Sequence, residues 1–254
     1  MKDIQSQLDH RRVNIKKVGV KTISYPITVL DKKNNHQHTV ASLDMYVNLP
    51  HLFKGTHMSR FVEILNQFHG EIDLRSFKKI LEEMKDRLDA EASHIEIRFP
   101  YFLRKEYQMG SLKSCRYDCR MHGSLEETDE LEFCFNVPIF RPLKKKTLQG
   151  MPRSRGHWGN CTVTVKFKKF IWIEDLILLV EKAIYVTHQQ GEDGLVDVYS
   201  VESLTEKISE KLSTLKELKW YSVVVENLGE GYSTFALLES GNEMSDYHRS
   251  SICF

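Results

Sequence analysis

The stretch His38–Leu65, HTVASLDMYVNLPHLFKGTHMSRFVEIL, changes its periodicity halfway along. From His38 to Leu49, β-branched and apolar residues alternate with polar ones, the period of two expected of a strand with one buried face. From Met58 the apolar residues Met58, Phe61, Ile64, Leu65 and Phe68 recur at spacings of three and four, which places them on one face of a helix. Pro50 and Gly55 lie between the two patterns, and Thr56 or Ser59 offers an N-cap hydroxyl.

Working outward, KTISYPITV at 21–29 reads as a strand, and DKKNNHQ between it and His38 reads as a turn. Downstream, a second helix is predicted from about Leu74 to Ala92. Its segment FKKILEEMKDRL keeps Phe77, Ile80, Leu81, Met84 and Leu88 on one side. SHIEIRFPYFL then reads as a strand with Pro100 near an end or bulge.

The second half repeats this order. Strands are expected in GSLKSCRYDCRMHG, ELEFCFNVPIF and CTVTVKFKKF, followed by helices in WIEDLILLVEKAIYVTH and SVESLTEKISEKL, and by strands in WYSVVVENL and STFALLE. The glycines at 229 and 231 mark a hairpin between the last two. Strands, two helices and strands, written twice, predict an α+β fold of two modules, residues 1–106 and 107–254, each with paired helices on one face of an antiparallel sheet. Such sheets have edges to protect, so pairing of modules or subunits into a closed barrel is expected.

Bulk properties narrow the function. With 36 Lys plus Arg against 35 Asp plus Glu, the chain has no global field to recruit nucleic acid or a membrane surface. There is no signal-peptide pattern at the N-terminus and no apolar run of transmembrane length, so a cytoplasmic protein is expected. Five cysteines, an odd and sparse set, are expected as free thiols. Cys115 and Cys119, four apart in a strand, fall on one sheet face as packed thiols.

The segments QHTVASLDMYVNLP and FKGTHMSRFVEIL resemble the type I-B GTP cyclohydrolase family. The resemblance extends more diffusely through HWGNC, IWIEDLILLVEKA and WYSVVVEN, and so covers most of the chain. It implies tandem tunnelling-fold modules assembled as a homotetramer of barrels. It also implies metal-assisted conversion of GTP to 7,8-dihydroneopterin triphosphate and formate, as in folate or related pterin biosynthesis. That chemistry requires water to attack C8 of guanine, groups to move protons, and a divalent metal such as zinc or manganese.

Site residues follow from the resemblance. His157, in SRGHWGNC, stands where the family's GAHNQRS supplies a histidine to the metal centre, and Glu226 persists in VEN. His38, Lys54, His57 and Arg60 are expected on the substrate, the latter three where a helix N-terminus could receive polyphosphate. Asp197 and Glu202 are the nearest carboxylates to the guanine anchor, which must accept from two N–H groups in one plane. Lys144, Lys145, Lys146, Arg153 and Arg155 add cations ahead of His157.

Two positions depart from the family pattern. Where SLCPCSKE is usual, the chain reads IFRPLKKKTLQGMPRSRGHW, with no cysteine between 135 and 160; where a histidine-rich turn follows VEN, it reads LGEGYSTFALLE. A divergent member lacking the usual cysteine ligand and C-terminal histidine is therefore expected. Two functions remain open: an active cyclohydrolase, or a catalytically inactive or repurposed protein that binds a purine or pterin nucleotide.

Overall fold

The computed structural model describes residues 17–49, 58–68, 74–106, 112–126, 128–141, 156–185, 200–229 and 231–241. Their elements run β1 (Val18–Asp31), β2 (Asn35–Asn48), α1 (Met58–Gln67), α2 (Leu74–Arg87), β3 (Ala92–Glu106) and β4 (Leu112–Leu125). They continue with β5 (Asp129–Arg141), β6 (Gly156–Phe167), α3 (Ile173–Tyr185), α4 (Val201–Ser213), β7 (Leu218–Leu228) and β8 (Ser233–Glu239). All eight strands form one antiparallel sheet in sequence order, each paired with its neighbours in the chain. The element order ββααββ occurs twice, its halves meeting at 126–128, while the boundary expected at 106/107 falls in the β3–β4 connection.

The β1–β2 turn is set by Asp31, whose Oδ1 accepts from the backbone N–H groups of Lys33 and Asn34 at 2.9 and 2.6 Å, the Asx geometry that suits aspartate to turns. At the other end, Gly231 (φ 88°) supplies the left-handed residue of the β7–β8 hairpin.

The four helices cover one face of the sheet, and the core lies between. Alternation buries Leu43, Met45 and Val47 on β2, Ile95, Ile97 and Phe99 on β3, and Val163 and Val165 on β6 beneath them. The expected face of α2 is buried in full, and Phe61, Ile64 and Leu65 of α1 with it; Met58, the first residue of α1, is instead 41% exposed. Ser200 caps α4 by accepting from Ser203 N at 3.0 Å.

Helix α3 docks through polar contacts as well. Tyr101 on β3 and Tyr117 on β4 are cross-strand partners on the covered face. The Tyr101 hydroxyl donates to Glu174 Oε1 at 2.6 Å and the Tyr117 hydroxyl to Glu181 Oε1 at 2.5 Å, with Lys105 bridging Tyr117 and Glu181. Glu174 Oε1 also accepts from Lys32 N at 2.6 Å. Buried carboxylates persist only when paired in this way.

Candidate functional site

The sheet face away from the helices is polar. Residues alternating with the core positions give it Asp44, Glu96, Arg98, Arg120, Glu132 and Lys166. Arg98 bridges Asp44 (2.9 Å) and Glu96, which Arg120 also approaches at 3.7 Å; Lys166 lies 3.1 Å from Glu130 and 3.3 Å from Glu132. A depression of about 360 Å³ on this face is lined by residues including Arg98, Arg116, Asp118, Arg120, Asn136 and Thr162. Opposite charges set diagonally across strands stabilise such a face while leaving it hydrated.

His157 and Glu226 share this face beside the depression. The β5–β6 register shifts between Ile139 and Phe140, so that Ile139 pairs with Gly159, Phe140 pairs with His157, and Trp158 has no counterpart. This bulge brings His157 to the same side as Asn160; without it, residues three apart would point to opposite faces. His157 Nε2 lies 3.0 Å from Asn160 Oδ1, and its ring sits 5.7 Å from that of Phe140. Asn160 in turn is directly opposite Glu226 on β7. At Gly159 the strands approach so closely that a Cβ would stand 1.9 Å from the Glu226 carbonyl oxygen, so only glycine fits.

The other expected site residues are dispersed. His38 lies on the polar face but on β2, four strand spacings or roughly 19 Å from β6, and its Nδ1 meets Thr28 Oγ1 at 3.0 Å. Arg60 is on α1, on the opposite side of the sheet, where Nη1 donates to the Arg87 carbonyl at 3.4 Å near the end of α2. Glu202, exposed in the first turn of α4, is also in the helical layer. Lys54, His57 and Asp197 lie outside the described residues, as do Lys144, Lys145, Lys146, Arg153 and Arg155.

A divalent ion is not matched by the described residues, among which no cluster of three His, Cys, Asp or Glu side chains could hold one. Cys161 is fully buried on the helix side of the sheet, and burial pushes its thiol well above the ordinary range, away from the thiolate that metals bind. Cys119 is disposed likewise. Cys134 is on the polar face, but it pairs with Thr164, four residues or roughly 13 Å along β6 from Asn160.

Two features escaped the sequence reading. Alternation in IEIRFPYFLRK and CRYDCRMH already sets Arg98, Arg116 and Arg120 opposite the apolar residues, a signal available in the sequence. The His157–Asn160 pair depends on the bulge at Trp158, which residue spacing does not announce.

A continuous antiparallel sheet with two helix pairs on one face and a charged opposite face defines an α+β protein of the tunnelling-fold class. Uricases have this architecture: that of Arthrobacter globiformis superposes with a TM-score of 0.56 over 90% of this chain and 94% of its own, and that of Bacillus fastidious with 0.57 over 88% and 92%, both at 8% identity. By sequence, the chain belongs to the type I GTP cyclohydrolase folE2 family, whose model matches residues 1–190. It is 44% identical to the GTP cyclohydrolase FolE2 of Syntrophus aciditrophicus over 89% of this chain and 94% of that protein. With the FolE2 of Syntrophobacter fumaroxidans it shares 42% over 94% and 99%.

Proposed function

We propose that this chain is a GTP cyclohydrolase, converting GTP and water to 7,8-dihydroneopterin triphosphate and formate in the cytoplasm. The observation that carries this reading is alignment with proteins named GTP cyclohydrolase FolE2 across nearly their whole length, 99% in the second case above. In the proposed reaction His157 and Glu226 move protons to and from the attacking water and the opening ring, which their shared face permits. His38, Lys54, His57, Arg60, Asp197 and Glu202 contact the substrate.

A single copy distributes His38, Arg60 and Glu202 over one strand and two helices, on both sides of the sheet, so one GTP reaches all of them only where copies meet. The edge strand β8 favours such a meeting: Tyr232 just before it, and Phe235 and Leu237 within it, are 73%, 65% and 54% exposed. A homo-oligomer, of tetrameric barrel form by the resemblance, follows, with two repeats in each chain.

The family resemblance also assigns a zinc or manganese ion to His157. Among the described residues no third His, Cys, Asp or Glu joins His157 and Glu226 in a group that could hold the ion. The absence of a cysteine between 135 and 160 and of a histidine in the turn after Asn227 supports a second reading, a divergent homologue that binds a purine or pterin nucleotide without turnover.

The two readings separate in one experiment. Protein purified with zinc or manganese is assayed for bound metal, then incubated with GTP while formate and pterin fluorescence are followed. Turnover abolished in a folded His157→Ala variant establishes the first reading; tight GTP binding with neither metal nor product establishes the second. Unchanged turnover in His157→Ala removes that residue from the mechanism.

A further inference from the structure

We propose that Asn160 is a positioning residue for His157, fixing its tautomer so that Nδ1 is the nitrogen presented to the reaction. The catalytic part of this inference rests on the cyclohydrolase reading; the tautomer does not.

The bulge at Trp158 is built for this contact. Trp158, 5% exposed, packs into the core and anchors the extra residue. Gly159 allows β6 to close on the Glu226 backbone, and the following residue is thereby delivered beneath the imidazole. His157 Nε2 then lies 3.0 Å from Asn160 Oδ1. An amide oxygen only accepts hydrogen bonds, so Nε2 carries the proton and Nδ1 keeps its lone pair. Phe140, cross-strand from His157, flanks the exposed imidazole on one side, 5.7 Å away ring to ring. Asn160 faces Pro138 on one side and Glu226 on the other, which puts the residue that holds the imidazole directly across from the strand position of Glu226.

Partners that hold the second nitrogen of metal-bound histidines are worth about 10- to 100-fold in activity, and an effect of the same order is expected for a histidine held this way to move protons. Asn160→Leu should therefore lower kcat by about that factor, with KM for GTP changed less than about threefold, because the residue orients a reacting group and does not bind substrate. Asn160→Asp, which keeps an acceptor oxygen at the same position, should recover most of the loss.

The deciding measurement is independent of turnover. Full-length protein labelled with 15N-histidine is examined at pH 8 by long-range 1H–15N correlation, with His157 assigned by its absence in His157→Gln. The expected result is protonation at Nε2 in the wild type and in Asn160→Asp, and a tautomer mixture in Asn160→Leu. A wild-type His157 protonated at Nδ1, or a pattern that Asn160→Leu leaves unchanged, overturns the proposal, and the wild-type spectrum alone can do so if the leucine variant fails to fold. Absence of GTP turnover in the wild type would remove the cyclohydrolase reading while the spectra still decide the role of Asn160.

Discussion

Replacing His94 with phenylalanine should remove a pronounced loss of stability in mild acid. The His94 ring is stacked on Tyr46, with centroids 4.6 Å apart and planes 15° apart, and its side chain is only 7% exposed. Among the described residues Nε2 has no hydrogen-bond partner, and Glu126 Oε1, on a half-exposed side chain, is 4.0 Å away. Burial pushes the imidazole pKa from 6.5 down to about 4, and the nearby charges of Lys17 and His122 push in the same direction. The carboxylate of Glu126 opposes this, but at that distance and exposure solvent screens it. The native state thus resists a proton that the unfolded chain accepts near pH 6.5. The resulting stability is complete above that pH and is lost as pH falls towards 4, at up to about 1.4 kcal/mol per pH unit and about 3 kcal/mol in total.

Urea unfolding at fixed protein concentration between pH 7.5 and pH 4.5 measures this directly. The phenylalanine variant retains the stacked ring and cannot charge, so its stability should fall less steeply, the difference between the two curves shifting by about 2 to 3 kcal/mol in the variant's favour towards pH 4.5. His122, whose pKa burial also lowers, titrates in both proteins, and its repulsion of a charged His94 is part of the difference the comparison reads. Parallel curves across this range would refute the assignment of His94 as a buried neutral group.

Gly159→Ala must push β6 from β7, because the new methyl would stand 1.9 Å from a backbone oxygen; a loss of about 2 to 3 kcal/mol in denaturant is expected, and an unchanged midpoint would contradict the close approach. Tyr101→Phe leaves Glu174, 5% exposed and with Oε2 already unpartnered among the described residues, short of a donor. It should cost about 1 to 3 kcal/mol, part of which Glu174→Leu in the same chain should restore. Phe235→Glu combined with Leu237→Glu should lower the assembly mass seen by light scattering if β8 is a subunit contact; an unaltered mass would place that contact elsewhere.

Much of the fold was legible in the sequence. The switch from period two to period 3.6 near Met58 located α1, and five apolar residues spaced three and four apart gave the buried face of α2, because burial against a flat sheet selects such a stripe. Repetition of strands and helix pairs gave the α+β class. Met58 was misplaced because periodicity shows which face is apolar but not where the partner surface ends. The site was harder to read: His157 and Glu226 lie far apart in sequence and reach the same sheet face only through the pairing of β5, β6 and β7, while the bulge at Trp158 adds a residue that reverses the side on which Asn160 would otherwise be counted. Arg60 illustrates the opposite difficulty, since a cation beside a glycine-containing turn suggests an anion site, whereas in the fold it meets a carbonyl at the end of the neighbouring helix.

The two glutamates of α3 have a consequence for how the molecule is inherited and cut. They are seven residues apart, two helical turns, yet both reach across to tyrosines of β3 and β4, and Glu174 also holds the β1–β2 turn through Lys32. A helix encoded in the second repeat thereby completes the interior of the first. A fragment ending near residue 126 would keep Tyr101, Tyr117 and Lys105 but lose the carboxylates and the apolar cover that accompany them. The first repeat has therefore given up its independence: its interior is closed by a helix of the second, and the chain should melt as one body, with the seam among the last places to open.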